Sequence, residues 1–216
     1  MTDYNTQTFS ITLEGTLEGT LEAIRDCRAC ASQLPFPPRP VVYASPSARL
    51  LITGQAPGQR VHKAGIPFFD ASGQRLRQWL NMDSSLFYDK ALIAFVPMGF
   101  CYPGTLPKGG DRPPSPLCAT LWRQRLLTFM PSIRLTLLVG AYAQNHVLGQ
   151  GRVFERTLRF KEFLTMGYFP LPILHGVQGN GNGLRQSSET LFSLLYGKLF
   201  IMRFLLNFDL NTPNKH

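Results

Sequence analysis

The chain has 216 residues, 44% of them hydrophobic and 16% charged, so it can bury one sizeable core and we expect one main domain. Lys and Arg number 22 against 13 acidic residues, and the resulting net charge of +9 suits a polyanionic partner such as nucleic acid. The polar first ten residues lack a secretory signal and two basic residues interrupt the apolar stretch 191–208, which argues against secretion or a membrane span and predicts a cytoplasmic protein with reduced thiols.

The predicted elements begin with a helix over residues 17–30, after which prolines impose an extended connection at 35–40. Apolar runs of strand length follow at 49–53, 91–96, 135–139 and 168–171. Helical periodicity occurs at 72–80, 117–130, 141–148 and 153–163. Strands that alternate with helices indicate βαβ units. The expected fold is therefore α/β: a three-layer α/β/α sandwich with a central four-stranded parallel sheet over residues 13–172, between a flexible segment at 1–12 and an atypical tail at 173–216.

The loops after the predicted strands are the expected ligand site, because parallel sheets bind ligands beyond the carboxyl ends of their strands. The first loop reads Gly54-Gln55-Ala56-Pro57-Gly58. Its two glycines let backbone N–H groups approach a ligand, and Gln55 offers both a donor and an acceptor. The same five residues also fit an ordinary strand-to-helix turn. The other loops expected at this edge are Pro97–Cys101 and the residues after Leu171.

A second segment, Gly65–Gly73, contains the adjacent rings Phe68 and Phe69 and the carboxylate of Asp70. An aromatic ring here would stack on a nucleic-acid base, although both phenylalanines also suit a core. Asp70 is the nearest carboxylate for activating a water molecule. A helix N-cap near Ser72 is the equally good alternative for that aspartate.

The cysteines form a Cys-x-x-Cys pair followed by two that bracket a loop rich in Pro and Gly: Cys27, Cys30, Cys101 and Cys118. Where thiols stay reduced, four such residues are metal ligands or plain core residues. Their spacing is compatible with an iron–sulfur cluster, with a structural zinc, or with no metal.

In this order the motifs resemble the first half of the iron–sulfur class of uracil-DNA glycosylases, family 4, over about residues 27–172. That family has Gly-Glu-Ala-Pro-Gly after its first strand, then Gly-x-Pro-Phe and Gly-x-x-Leu, which match residues 54–58, 65–68 and 73–76. The resemblance implies a [4Fe–4S] cluster on the four cysteines. It also implies a monomer that flips a base out of DNA and hydrolyses the N-glycosidic bond of uracil or a related damaged base.

The resemblance, together with the position of each residue in the loops, predicts roles for individual residues. The expected catalytic residues are Gln55, Asp70 and His175. The expected base-binding residues are Gly54, Ala56, Pro57, Gly58 and Phe68. The expected contacts to DNA phosphates are Arg60, His62, Lys63, Lys108 and Arg112, for which simple solvation is the alternative.

The sequence departs from the family pattern at three places. Gln55 replaces the usual glutamate and cannot act as a general base, although its amide can orient a water molecule. Pro97 stands where some members carry an asparagine that reads the uracil edge. The closing His-Pro-Ser motif is absent after Leu171, and His175 is either its substitute or an incidental residue.

One restored base would recover the missing motif. If Ile173–Val177 are encoded ATC CTT CAT GGC GTT, a C placed in front changes the frame to CAT CCT TCA TGG CGT, which reads His-Pro-Ser-Trp-Arg. Residues 173–216 would then be a frameshifted tail and catalysis would be impaired. The alternative functions are a non-catalytic DNA-binding module that retains the fold and metal cluster, and a zinc-containing nucleotide-binding domain.

Overall fold

Four parallel strands form the central sheet of the protein, which the computed structural model describes over residues 15–172. The strands are β1 Leu50–Thr53, β2 Ile93–Phe95, β3 Leu135–Val139 and β4 Tyr168–Leu171. Their order is β2-β1-β3-β4, with Leu50 of β1 opposite both Ile93 and Leu135. Almost every strand residue is buried, as expected where helices cover both faces of a parallel sheet.

Short helices surround this sheet. They are α1 Leu17–Arg25, α2 Gln59–Ala64, α3 Ala71–Leu80, α4 Ser84–Phe87, α5 Pro116–Cys118, α6 Gln124–Thr128, α7 Gly140–Leu148, α8 Val153–Leu158 and α9 Phe160–Leu164. A π-helical turn, Ala119–Arg123, joins α5 to α6. Within residues 15–172 no helix is long and apolar enough to cross a membrane.

Successive strand residues point to opposite faces of the sheet and so build two separate layers of core. Leu50 and Ile52 pack with Leu76 of α3 and Phe160 of α9 on one face. On the other face, Leu51 packs in a cluster with side chains of α1, the π-helical turn and α6, namely Ile24, Trp122 and Leu126. The expected three-layer α/β/α sandwich around a four-stranded parallel sheet is confirmed.

Helix ends differ from the sequence expectations for local reasons. The helix predicted over 17–30 ends at Arg25, and the Cys-x-x-Cys segment that follows lies in turns. The helix predicted over 153–163 is divided at Arg159, whose backbone leaves the helical region. Helix α2, which periodicity did not predict, has only six residues and ends at Gly65 in the left-handed region (φ 71°). The predicted boundaries of the segments 1–12 and 173–216 lie outside the described residues.

Candidate functional site

A cavity of about 260 Å³ lies at the carboxyl edge of the sheet. Segments that follow three strands line it: Gly54–Gly58 after β1, Pro97 after β2, and Gly140 and Ala141 after β3. The chain leaves β1 toward β2 on one side and later returns to place β3 on the other, so the cavity lies at the point where the strand order reverses. Open parallel sheets bind ligands at this point, and the volume is near the lower limit of about 300 Å³ for small-molecule sites.

The loop after β1 forms one wall of the cavity. The amide of Met98 donates to the Gly54 carbonyl at 2.9 Å, and the amide of Gly99 donates to the Gln55 carbonyl at 2.9 Å. These bonds fix the loop against the segment that follows β2. A Cβ on Gly54 would lie 3.3 Å from Cζ of Phe68, so the absence of a side chain there lets the ring pack against the loop.

Phe68 forms the opposite, aromatic wall. Its ring lines the cavity and contacts the rings of Phe87 and Phe95, with centroids 6.4 and 5.9 Å away. Its φ of 53° is in the left-handed region, a conformation that costs a non-glycine residue about 1–3 kcal/mol and recurs at functional sites. Phe69 is 54% exposed. Phe68 therefore stands where the sequence expectation put a stacking ring, and Phe69 is not a core residue.

Gln55 lines the cavity but its amide is engaged elsewhere. Nε2 donates to the carbonyl of Arg112 at 2.8 Å, which ties the first loop to the loop between Cys101 and Cys118. The expected contact of this side chain with uracil or a water molecule stays a prediction. Its donor holds two walls of the cavity together.

Asp70 is both the N-cap of α3 and a residue of the cavity wall. Its Oδ1 accepts hydrogen bonds from the Gly73 amide at 2.9 Å and the Ser72 hydroxyl at 2.5 Å, which makes Asp70 the N-cap of α3. The residue also lines the cavity. Its Oδ2 lies 3.6 Å from the position that a Cβ on Gly58 would occupy.

Asp111 is a cavity residue that sequence reasoning missed. Its Oδ2 also lies 3.6 Å from the same position beside Gly58, so two carboxylates converge on the first loop. The available signal was the Pro/Gly-rich loop between Cys101 and Cys118, which holds Asp111. Only the folded chain brings that loop to the cavity.

Four of the basic residues expected to contact phosphate are exposed: Arg60, Lys63, Lys108 and Arg112. Each lies within two residues of one that lines it, namely Val61, Gly110 or Asp111. These exposed positive charges are therefore close in sequence to the cavity wall, and their contact with phosphates stays a prediction.

His62 does not line the cavity and packs in a cluster with two aromatic rings. Its ring stacks on Phe36 at 5.5 Å and lies 6.1 Å from Tyr102. Burial, together with the nearby charge of Arg39, lowers the pKa of His62, so the imidazole is neutral at pH 7. Within residues 15–172 its buried Nδ1 has no hydrogen-bond partner. The other histidine of the sequence analysis, His175, lies outside the described residues.

The four cysteines line one small second cavity, whose other walls are Ile24, Pro38, Pro40, Phe100 and Trp122. All four are free thiols, and the indole Nε1 of Trp122 donates to Cys27 Sγ at 3.3 Å. Burial raises the pKa of Cys101 to about 11 and that of Cys118 to about 12, so both are protonated at neutral pH when no metal is bound. In the described part of the chain, no three Cys, His, Asp or Glu side chains are grouped tightly enough to hold a single metal ion.

Fold and site together define an α/β protein with an aromatic-walled pocket at the reversal point of a parallel sheet and a separate four-cysteine centre. A family model described as the uracil DNA glycosylase superfamily matches residues 41–192, more than two thirds of the chain. The chain belongs to the uracil DNA glycosylase superfamily. Membership implies a glycosylase-like function with DNA as the general substrate. The match includes the whole cavity lining as well as Cys101 and Cys118, begins after Cys27 and Cys30, and continues past Pro172.

Proposed function

We propose that the protein is a DNA repair glycosylase that flips uracil, or a related damaged base, out of DNA and hydrolyses its N-glycosidic bond. The carrying observation is the pocket between the loop Gly54–Gly58 and the ring of Phe68, at the ligand-binding edge of the sheet. Extruding a base costs a few kcal/mol, and stacking on an aromatic ring returns about 1–3 kcal/mol.

Carboxylates are the groups in the pocket that would carry out the acid–base chemistry of hydrolysis. With glutamine at position 55, the acidic groups that line the cavity are Asp70 and Asp111. Either can accept a proton from the attacking water and stabilise positive charge on the sugar as the glycosidic bond breaks. Pro97 offers no side-chain polar group, so backbone groups of the first loop are left to bind the base edge.

We also propose that Cys27, Cys30, Cys101 and Cys118 bind a [4Fe–4S] cluster. The four thiols share one apolar cavity, and an indole N–H reaches one sulfur, a contact typical of cluster surroundings. In a cluster each cysteine binds a different iron, so the ligands stand further apart than around one zinc ion, the alternative metal. The cluster would supply a covalent link between the N-terminal segment and the loop that carries Asp111.

Metal content is tested on protein purified without oxygen. Iron with acid-labile sulfide and a brown colour supports the cluster, and a colourless protein containing one zinc per chain contradicts it. Cys118→Ser should lose the visible absorbance and lower the melting temperature.

Excision is tested with an oligonucleotide containing one uracil, followed by alkaline cleavage of abasic sites. The wild-type chain should produce strand breaks. Phe68→Ala should lower kcat/KM by roughly 5-fold to 150-fold, the equivalent of about 1–3 kcal/mol of lost stacking. Phe69→Ala is the matched control, because this neighbouring ring is largely exposed and its removal should leave kcat/KM unchanged.

A non-catalytic DNA-binding module is the second candidate. In its favour, the Gln55 side chain carries no charge and donates to a loop carbonyl, and Pro97 stands where some members of the iron–sulfur class carry a base-reading asparagine. Binding of uracil-containing DNA without any strand breakage would support this alternative and contradict the glycosylase. In either case binding should weaken steeply as salt rises, because the exposed basic residues act through phosphate charge.

The finer assignment to the iron–sulfur class, with a frameshifted tail, is tested at the gene. Codons over 173–177 that cannot yield His-Pro-Ser in the neighbouring frame would exclude the frameshift. The family match continues to residue 192, past the start of the proposed tail, as it would for sequence read in the correct frame. The gene sequence decides between an intact frame and a frameshift. If the frame is intact, His175→Ala tests the remaining candidate histidine.

A further inference from the structure

Arg123 is buried and bonds the residues that directly precede two segments of the pocket wall. The residue ends the π-helical turn Ala119–Arg123 and is 3% exposed. Its Nη1 donates to the carbonyl of Val96 at 2.7 Å, and its Nη2 donates to the hydroxyl of Thr53 at 3.2 Å. Thr53 directly precedes Gly54 and Val96 directly precedes Pro97. One guanidinium therefore joins the two strand ends from which the cavity walls begin.

Within the described residues, this buried charge is not part of an ion pair. No carboxylate of residues 15–172 forms a salt bridge with Arg123, and its hydrogen-bond partners in that range are a carbonyl and a hydroxyl. Burial lowers the pKa of Arg123 to about 10, which still leaves the group charged at neutral pH. Taking a cation out of water is costly unless its donors are satisfied by hydrogen bonds. Only arginine would place several N–H donors in a fixed planar arrangement at this position.

The turn that carries Arg123 also reaches the cysteine centre. Cys118 immediately precedes the π-helical turn, and Trp122 within it donates to Cys27 Sγ. A π-helical turn holds one residue more than the α-helical turn it replaces, which changes the direction of the side chains that follow, and such turns recur at functional sites. Trp122 and Arg123 thus connect the cysteine centre on one side with the pocket loops on the other.

We propose that Arg123 is a positioning residue for the base pocket. Its two donors hold the ends of β1 and β2 in register, so that the amides of Met98 and Gly99 keep their bonds to Gly54 and Gln55. The proposal rests on the proposed function for its catalytic consequence, but its structural consequence is independent of any activity.

The variants are Arg123→Met, which removes charge and donors, and Arg123→Lys, which keeps the charge and one donor position. Arg156→Met is the matched control. Arg156 is also buried, at 7% exposed, but bonds Asn145 and the Gly149 carbonyl at the far end of α7. It therefore reports the general cost of removing a buried arginine.

Hydrogen exchange followed by mass spectrometry measures the first consequence. In Arg123→Met, amides of segments 53–58 and 96–100 should exchange about tenfold faster, the effect of losing one charge-assisted hydrogen bond. Arg123→Lys should fall between that variant and wild type, and Arg156→Met should leave both segments unchanged. If the amides of both segments exchange in Arg123→Met at the same rate as in the wild type, the proposal is overturned. If Arg123→Met does not fold, the same comparison with Arg123→Lys decides.

Excision kinetics measure the second consequence. Arg123→Met should lower kcat for uracil excision about tenfold, with partial rescue by Arg123→Lys, while KM for DNA changes little because the exposed basic residues are intact. A loss of kcat that Arg156→Met reproduces at equal stability marks a merely structural role and overturns the proposal. A wild-type chain with no excision refutes the proposed function alone, and the exchange result then stands or falls separately.

Discussion

Substituting Gly73 by alanine should disturb the aromatic wall of the pocket from beneath. Gly73 lies in the first turn of α3, and a Cβ built on it would lie 1.7 Å from the Phe68 carbonyl oxygen and 2.7 Å from Phe68 Cβ. Real Cβ contacts essentially never fall under 3.0 Å, so at least 1.3 Å of movement is required. The obstacle is backbone, which cannot rotate away as a flexible side chain does.

The backbone of Phe68 has little freedom to move. It is already in the left-handed region, its carbonyl accepts from the Tyr88 hydroxyl at 3.4 Å, and its ring packs on Phe87 and Phe95. Overpacking of this kind costs about 1–3 kcal/mol. For a chain of this size the melting temperature should fall by roughly 2–12 °C. Uracil excision should fall as well, because the displaced residue carries the stacking ring.

Urea unfolding and single-turnover excision are the two measurements, and Gly19→Ala is the control. Gly19 lies at an exposed position of helix α1, where the added Cβ would meet only Thr16 Oγ1 at 3.5 Å, an ordinary contact. That substitution should stabilise the protein by up to about 1 kcal/mol through helix propensity, and leave excision unchanged. A Gly73→Ala protein with wild-type stability and activity would refute the close-approach argument.

Two further predictions concern titratable side chains. Asp70→Ala should cost about 1 kcal/mol through loss of the α3 N-cap, whereas Asp70→Asn keeps the cap, so unchanged stability with lost excision in Asp70→Asn would identify catalysis. If Asp70→Asn excises normally, Asp111 alone carries the water-activating role. Because the pKa of His62 is lowered in the folded chain, the unfolded chain binds the proton more readily. Stability should therefore fall as pH drops through about 6.5, and His62→Phe should reduce the difference between urea midpoints at about pH 7.5 and about pH 5.5. An unaltered pH dependence in His62→Phe would contradict that assignment.

The strands and the position of the site were accessible from local sequence. Continuous apolar runs bounded by Gly and Pro predict buried parallel strands, and all four lie within the predicted limits. Helix limits were harder to predict from the sequence. Helices α2 and α4 are shorter than two helical periods, and the π-helical turn at Ala119–Arg123 does not interrupt the apolar pattern of one continuous helix. Periodicity reports which face is buried and is insensitive to how the hydrogen bonds within that stretch are arranged.

Composition, periodicity and motif order by themselves determined the α/β class, the four strands, the first loop with its aromatic partner and the four cysteines. The tertiary structure alone decided what those parts contact. Gln55 meets the Arg112 carbonyl across 57 residues of chain, and Arg123 meets Thr53 across 70. Asp111 reaches the cavity because the loop between two cysteines folds over it. Such contacts are set by how layers pack on a sheet, whereas a sequence pattern carries only the preferences of neighbouring residues.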